Sequence, residues 1–243
     1  MKGIILAGGH GTRLRPMTLV TSKQLLPVYD RPMIFFPINT LIQAGIKDIL
    51  IIVAPDRAGD FLRVLGSGKN WGVKFTYEIQ DKPSGLPEAF IIGSDFIDQD
   101  SVTMILGDNI VLGREEEVRR AITTFTRGNR VFATKVSDPG RFGVIEFDKN
   151  HQVKSIEEKP LRPKSDYIIM GLYIFDNQVV QIAKSLIPSA RGELEITDIL
   201  KVYLSRQELD VKLFSGEWFD TGTPDSLLRA SNYVADHQRD QNT

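Results

Sequence analysis

No cysteine occurs anywhere in the 243 residues. That absence removes disulfide staples, thiolate nucleophiles and thiolate-ligated metals together, and it fits a reducing compartment. Histidine is almost as scarce. His10, His151 and His237 lie far apart and make no metal-binding pair, and no Ser/His arrangement for nucleophilic catalysis is visible. Positive charge is not in excess either, with 30 Lys and Arg against 31 Asp and Glu, so no basic surface for nucleic acid is expected. Long apolar runs are missing too, and the first residues lack the basic-then-apolar layout of a secretory signal. A soluble cytoplasmic protein is the expectation, and a chain of this length buries a real core.

What the chain does have is a glycine-rich opening. GIILAGGHGTR at residues 3–13 begins as a short apolar run ending at Leu6 and Ala7, which reads as a buried strand feeding a tight loop. Gly8, Gly9 and Gly11 leave backbone N–H groups bare for anionic oxygens, and Thr12 follows them. Arg13 adds a planar guanidinium suited to phosphate, and Lys23 a compact mobile cation. Two familiar phosphate loops are excluded. G-x-G-x-x-G fits Gly9 and Gly11 but meets Leu14 at its third glycine, and Gly68-Lys69 fails the Walker pattern at Arg63 and Asn70. A polyphosphate site is one reading; a plain strand-to-helix turn is the other.

Strand-like and helix-like stretches alternate through the first half: a helix over 33–44 stopped by Gly45, a buried strand over 47–54, and a helix capped by Asp56 running to 65. A strand over 73–80, a helix over 86–96 and a strand over 102–106 follow. This alternation predicts an α/β sandwich with a mixed, mostly parallel central sheet and helices on both faces. Beyond Gly128 the pattern turns β-rich, with strands over 130–136, 142–147, 153–157 and 167–175. Helices are expected over 177–186 and 194–204, a strand over 211–214, and a helix from Pro224 to about 237 with a frayed tail beyond. One continuous domain over 1–243 is expected: an alternating part over 1–128, a β-rich part over 129–222, and a closing helix and tail over 223–243.

Two carboxylates stand out. Asp108 follows Leu106-Gly107 where a strand ends, and in open parallel sheets ligands bind beyond the carboxyl ends of strands. Asp220 repeats the arrangement after Trp218-Phe219, beside Gly222. Together they can hold Mg²⁺ along with phosphate oxygens and water; singly, an aspartate there also serves as a turn former. In the β-rich part, Glu158 can accept from hydroxyls while Lys159 and Arg191 can bind a phosphate, although Glu157-Glu158-Lys159 also suits a solvated turn. Gly143 and Gly171 allow close backbone approach. Tyr173 and Trp218 offer flat faces to a sugar, or belong to the core. Gln80 carries an amide that both donates and accepts, which suits an imide base edge, or it is an exposed strand end.

GGxGTRLxP followed by SKQLLPVYDRPM resembles the signature of the sugar-phosphate nucleotidyltransferases, and within them the glucose-1-phosphate thymidylyltransferases. LGDN, FGV, EEKP, GLY, SARGELEITD and WFDTGT follow in that family's order, so the resemblance runs from Lys2 to about Tyr233. It implies a Rossmann-like nucleotidyltransferase sandwich, mainly nucleotide-binding over 1–128, with a β-rich, mainly sugar-phosphate-binding part over 129–222. It implies nucleotide binding by Leu6, Ala7, Gly8, Gly9, Gly11, Thr12, Arg13, Gln80 and Gly85. Sugar phosphate falls to Lys23, Gly143, Glu158, Lys159, Gly171, Tyr173, Arg191 and Trp218, metal to Asp108 and Asp220, and catalysis to Arg13, Lys23 and Asp108. The implied reaction joins dTTP and glucose 1-phosphate with Mg²⁺ to give dTDP-glucose and pyrophosphate, for deoxysugar (dTDP-rhamnose-type) and surface polysaccharide biosynthesis. A homo-oligomer, dimer or tetramer, is implied, in the short form without the C-terminal helical extension. Alternatives are a uridylyltransferase, an enzyme for another sugar 1-phosphate, or a non-catalytic regulatory subunit. The last is disfavoured because Arg13, Lys23, Asp108 and Asp220 are all present. One departure is Glu88, where such thymidylyltransferases commonly carry Gln or His.

Overall fold

Alternating apolar runs fold as an α/β chain around a central sheet, in a computed structural model that describes residues 1–241. Its strands are β1 (Lys2–Ala7), β2 (Pro27–Val28), β3 (Arg31–Pro32), β4 (Asp48–Val53), β5 (Lys74–Ile79), β6 (Val102–Leu106) and β7 (Asn109–Leu112). They continue as β8 (Asn129–Lys135), β9 (Gly143–Phe147), β10 (Val153–Glu158), β11 (Tyr167–Phe175), β12 (Leu209–Leu213) and β13 (Glu217–Asp220). The helices are α1 (Phe35–Gln43), α2 (Ala58–Leu65), α3 (Glu88–Ile92), α4 (Ser94–Ile97), α5 (Glu115–Thr123), α6 (Gln178–Ser185), α7 (Ile196–Ser205) and α8 (Pro224–Gln241). Among the described residues, no helix is long and apolar enough to cross a membrane.

Two units interleave along the sequence. The first takes Gly3–Lys82, Ile105–Thr123 and the segment from Gly216 onward; the second takes Met1–Lys2, Pro83–Met104 and Thr124–Ser215. In the first unit β4 pairs in parallel with β1 and β5, in the registers Ile4↔Leu50 and Leu50↔Thr76. Ile49 to Val53 are fully buried, as a strand covered on both faces requires. β7 and β13 form an antiparallel ribbon in which Phe219 faces Ile110 and Asp220 faces Asn109. Strand alternation then sends Ile110 and Phe219 one way, into a core with Leu14, Met33, Leu227 and Val234. That core ties the glycine loop, the ribbon and α8 together.

In the second unit β8 runs antiparallel to β11 and parallel to β12, while β9 and β10 form an antiparallel pair. β11 is buried almost end to end and carries a bulge between Ile169 and Tyr173, with Gly171 inside it.

Several details depart from the sequence expectations. Helix 86–96 breaks at Gly93, whose N–H bonds Ala89 O at 2.9 Å and closes α3 before α4 begins. Asp56 does not cap α2: a 3₁₀ turn at Pro55–Arg57 intervenes, and the Asp56 carboxylate pairs with Arg57 Nε at 3.2 Å. The β7–β13 ribbon and α5 had no counterpart in the periodicity. α8 runs on to Gln241, past the expected end near 237; Asn242 and Thr243, in the tail read as frayed, lie outside the described residues.

Candidate active site

In the first unit the glycine loop leaves β1 and folds over two polar side chains. A Cβ at Gly8 would stand 2.4 Å from Gln80 Oε1, so only glycine lets Gln80 lie across the loop. Gln80 is buried at the end of β5, with its N–H on Val53 O at 2.9 Å, and it is no exposed strand end. Gly11 has φ +61°, a left-handed backbone, and its carbonyl accepts the Thr18 hydroxyl at 2.8 Å. A Cβ there would meet Lys23 Cβ at 3.0 Å, and one at Gly9 would lie 3.8 Å from Lys23 Nζ. The loop therefore wraps Lys23. Buried Leu14 pins the following 3₁₀ turn (Thr12–Leu14) to the core and leaves Thr12 and Arg13 exposed.

Lys23 Nζ donates to Asp108 Oδ2 in a nearly buried ion pair. Burial alone would raise the Asp108 pKa. The Lys23 charge and its hydrogen bond, with help from Asn109 and a backbone N–H, outweigh burial and hold the carboxyl below its ordinary value. Asn109 Nδ2 donates to Asp108 Oδ1 at 3.2 Å, and Trp218 Nε1 donates to Asn109 Oδ1 at 2.7 Å. Thr221 fixes the backbone, its N–H and hydroxyl both on Asp108 O at 3.0 and 2.7 Å. The ribbon register sets Asp220, the last residue of β13, opposite Asn109, so Asp220 lies next to the turn before β7 that carries Asp108. Arg13 reaches the same place: a Cβ at Gly222 would lie 2.5 Å from Arg13 Nη2 and 3.1 Å from Asp220 Oδ1. Leu6, Ala7, the glycines, Arg13, Lys23, Gln80, Asp108 and Asp220 thus share one unit. Trp218 lies in the same unit as these residues.

The second unit assembles a different cluster. Gly143 opens β9 and pairs with Glu158 at the end of β10, and a Cβ at Gly143 would come within 2.9 Å of Thr197 Cγ2. Glu158 Oε2 and Thr197 Oγ1 are buried; the hydroxyl is close enough to polarise the carboxylate, yet the two do not close to hydrogen-bond geometry. Burial, then the Glu195 charge, raise the Glu158 pKa against the opposing pull of Lys159, Thr197 and Arg191. Those cations stand off, Arg191 Nη1 at 3.7 Å and Lys159 Nζ at 3.9 Å from Glu158 Oε1. Arg191 also serves Glu193 at 2.7 Å and Glu195 at 3.6 Å. Lys159 has φ +40°, an unfavourable backbone for a lysine, held by its N–H on Phe142 O at 3.0 Å. Tyr173 is buried and stacks with Phe175. Burial, then the nearby Glu158 charge, keep its phenol neutral by pushing its pKa far up.

Gly85 stands apart from the other residues read as nucleotide-binding, because it lies in the second unit. It has φ +109°, and a Cβ there would strike the Leu194 carbonyl at 2.0 Å, so the 84–85 and 194 backbones require glycine for packing. Glu88 Oε2 turns back on the same loop and accepts the Ser84 N–H at 3.3 Å.

Four polar residues of these clusters were not singled out from the sequence: Asn109, Thr221, Glu195 and Thr197. All four lie inside motifs that were, so adjacency to Asp108, Asp220 and Arg191 was their available signal.

The description "Nucleotidyl transferase" fits residues 2–237 of the chain. The chain belongs to the nucleotidyl transferase family. Its similarity within that family is specific. A Neisseria meningitidis serogroup A protein named glucose-1-phosphate thymidylyltransferase is 51% identical over 245 aligned residues, covering 100% of this chain and 85% of that protein. A Mycobacterium tuberculosis protein of the same name is 48% identical over 243 residues, covering 99% and 84%. Among solved structures, a Bacillus anthracis protein provisionally given that name, in complex with sucrose, superposes with TM-score 0.91 at 46% identity, covering 97% of this chain and 96% of that one. A UDP-glucose pyrophosphorylase complexed with UDP-glucose superposes with TM-score 0.85 at 23% identity, covering 97% and 98%, which shows a shared nucleotidyltransferase fold.

Proposed function

We propose that the chain is a glucose-1-phosphate thymidylyltransferase. It transfers the nucleotidyl group of dTTP to glucose 1-phosphate and releases pyrophosphate, making dTDP-glucose for deoxysugar (dTDP-rhamnose-type) and surface polysaccharide biosynthesis. The observation that carries the reading is the glycine loop wrapped on Lys23, with Lys23 paired to Asp108 and with Arg13 and Asp220 both beside Gly222, in a chain about half identical to proteins of that name.

The chemistry follows from these groups. An anionic oxygen of the sugar phosphate attacks the α-phosphorus in line; the new P–O bond forms as the bond to the β-phosphate bridge breaks, and pyrophosphate leaves with the electron pair. The nucleophile is already an anion, so no general base is required. Backbone N–H groups of Gly8, Gly9, Gly11 and Thr12 cradle the triphosphate, and Arg13 and Lys23 offset charge at the reacting phosphorus. Gln80 reads the base, with Leu6 and Ala7 on that side. Glu158, Gly143, Gly171 and Tyr173 face the sugar, and Lys159 and Arg191 its phosphate.

Mg²⁺ fits the donor set. Among the described residues no group of three or more metal-binding side chains exists, and two aspartates, one ending β13 and one in the turn before its partner strand β7, suit an ion that takes few protein ligands plus phosphate and water. Asp108 and Asp220 would hold it, and it would supply charge neutralisation to the phosphates. A homo-oligomer, dimer or tetramer, and a cytoplasmic location complete the reading; light scattering checks the first. The functional test is Mg²⁺-dependent pyrophosphate release with glucose 1-phosphate across dTTP, UTP, CTP, ATP and GTP. dTTP should lead and chelation should silence the reaction. Preference for another nucleotide would rename the enzyme.

A further inference from the structure

Strands β5, β10 and β12 each have a single pairing partner among the described residues. The first two edges are obstructed. Phe75 N–H on β5 already donates to Ser67 O at 3.0 Å, and β10 is bulged between Val153 and Ser155. β12, within the second unit, is regular, running parallel to β8 in unbroken register from Leu209↔Asn129 to Leu213↔Ala133. Asn129 N–H donates to Glu208 O at 2.9 Å and Phe214 N–H to Ala133 O at 2.8 Å, so the even-numbered backbone groups of β12 face β8. Parallel pairing alternates, and the N–H and C=O of Leu209, Val211 and Leu213 therefore point to the open edge. Side chains alternate too. Asp210 and Lys212 share one face, where the Asp210 carboxylate meets Arg130 Nε at 2.6 Å and Lys212 Nζ at 3.1 Å. Leu209, Val211 and the exposed Leu213 lie on the other.

Leu-Asp-Val-Lys-Leu complements itself when reversed: leucine meets leucine, valine meets valine, and aspartate meets lysine. An open edge is a template for any strand, and a charge on it usually blunts that tendency. Here opposite charges at mirrored positions select one partner instead. We infer that β12 is a self-association surface, on which a second copy of this chain lays its own β12, antiparallel, about a two-fold axis at Val211. Val211 exchanges N–H···O bonds with Val211 of the second copy, and Leu209 with Leu213. Asp210 of each copy faces Lys212 of the other, and the apolar side chains continue across the joint. Sliding the partner by two residues, the smallest shift that keeps the same backbone groups facing, sets Asp210 on Asp210 or Lys212 on Lys212. The inference gives the proposed homo-oligomer a surface, and it does not depend on which reaction the chain catalyses.

Sedimentation equilibrium of the full chain tests this with two charge variants. Lys212→Glu sets an acid opposite Asp210, and Asp210→Lys sets a lysine opposite Lys212, so each alone should weaken self-association about tenfold or more. An equal mixture of the two should associate again, because every facing pair is then of opposite charge. Since the chain has no cysteine, single thiols report the register directly and without disturbing the charges. Under oxidised glutathione, Val211→Cys places two thiols at the axis and should give a covalent dimer, whereas Leu213→Cys, whose partner is Leu209, should not. A wild-type chain that stays monomeric at every concentration would overturn the inference. So would an oligomer that both charge variants leave intact, or cross-linking of Leu213→Cys as readily as Val211→Cys.

Discussion

Asp108 and Glu158 are both largely buried carboxylates beside cations, and their pKa values move in opposite directions. In the first unit Lys23 touches Asp108, Asn109 binds the other oxygen, and among the described residues no further acid pairs with the lysine. In the second unit Arg191 and Lys159 stand 3.7 and 3.9 Å from Glu158, and Arg191 divides its charge among three glutamates. The difference teaches that contact, more than the mere presence of an opposite charge, decides whether a buried acid stays ionised. It also suits two tasks. A compensated aspartate keeps its charge for cation and phosphate chemistry, whereas an under-bonded glutamate has an open acceptor for hydroxyl donors.

Breaking the compensated pair should have the largest effect. Lys23→Met keeps the stem and removes the charge; kcat should fall about 10²–10³-fold, the scale of losing one preorganised donor. The stranded Asp108 charge should also cost about 3 kcal/mol in thermal or urea unfolding at neutral pH. Adding Asp108→Asn should restore the stability and not the activity. That divergence separates the structural from the catalytic part of the pair.

Next in size is the chain of donors behind Asp108. Trp218→Phe keeps the ring and deletes the N–H that orients Asn109. Loss of one buried hydrogen bond predicts about a tenfold higher Mg²⁺ requirement, with KM for glucose 1-phosphate unchanged. A shift in the sugar KM alone would return Trp218 to the sugar side.

The acid limb sharpens the contrast. A depressed pKa means that the Asp108 pair contributes stability present above the unfolded value and lost as pH falls through the lower folded value. Glu158 has the reverse sign: its raised pKa means that its charge disfavours folding above the folded value, so Glu158→Gln should stabilise the protein slightly at neutral pH. KM for the sugar should rise as pH falls toward the upper edge of the glutamate range. That step should vanish in Glu158→Gln, while the sugar phosphate's own titration persists in both proteins. The smallest effect belongs to Glu88. Its carboxylate holds the Ser84 N–H, so Glu88→Gln should change the dTTP-to-UTP ratio of kcat/KM by less than about twofold.

Local pattern explains what was readable in advance. Strands such as β4, β6 and β11 are continuous apolar runs, and their limits fall within a residue or so of the periodicity. The loop and Lys23 were legible as neighbours because bare glycines and cations close in sequence share few structural reasons to coexist. The β7–β13 ribbon was not, since each strand has four residues and the pairing joins positions more than a hundred residues apart. Trp218 shows the same limit: its ring was readable as a flat face or a core residue, but its N–H on Asn109 depends on cross-strand register. At Gly85 and Gly143 an added side chain would meet a carbonyl of residue 194 and a methyl of Thr197, contacts invisible to any window of sequence.

The most direct test of the opposed pair is a carboxyl ¹³C NMR titration of the wild-type chain, assigned with Asp108→Asn and Glu158→Gln. Asp108 should titrate below the ordinary aspartate value near 3.9, and Glu158 above the ordinary glutamate value near 4.3. Both residues titrating at their ordinary values, or in the reverse sense, would contradict the account.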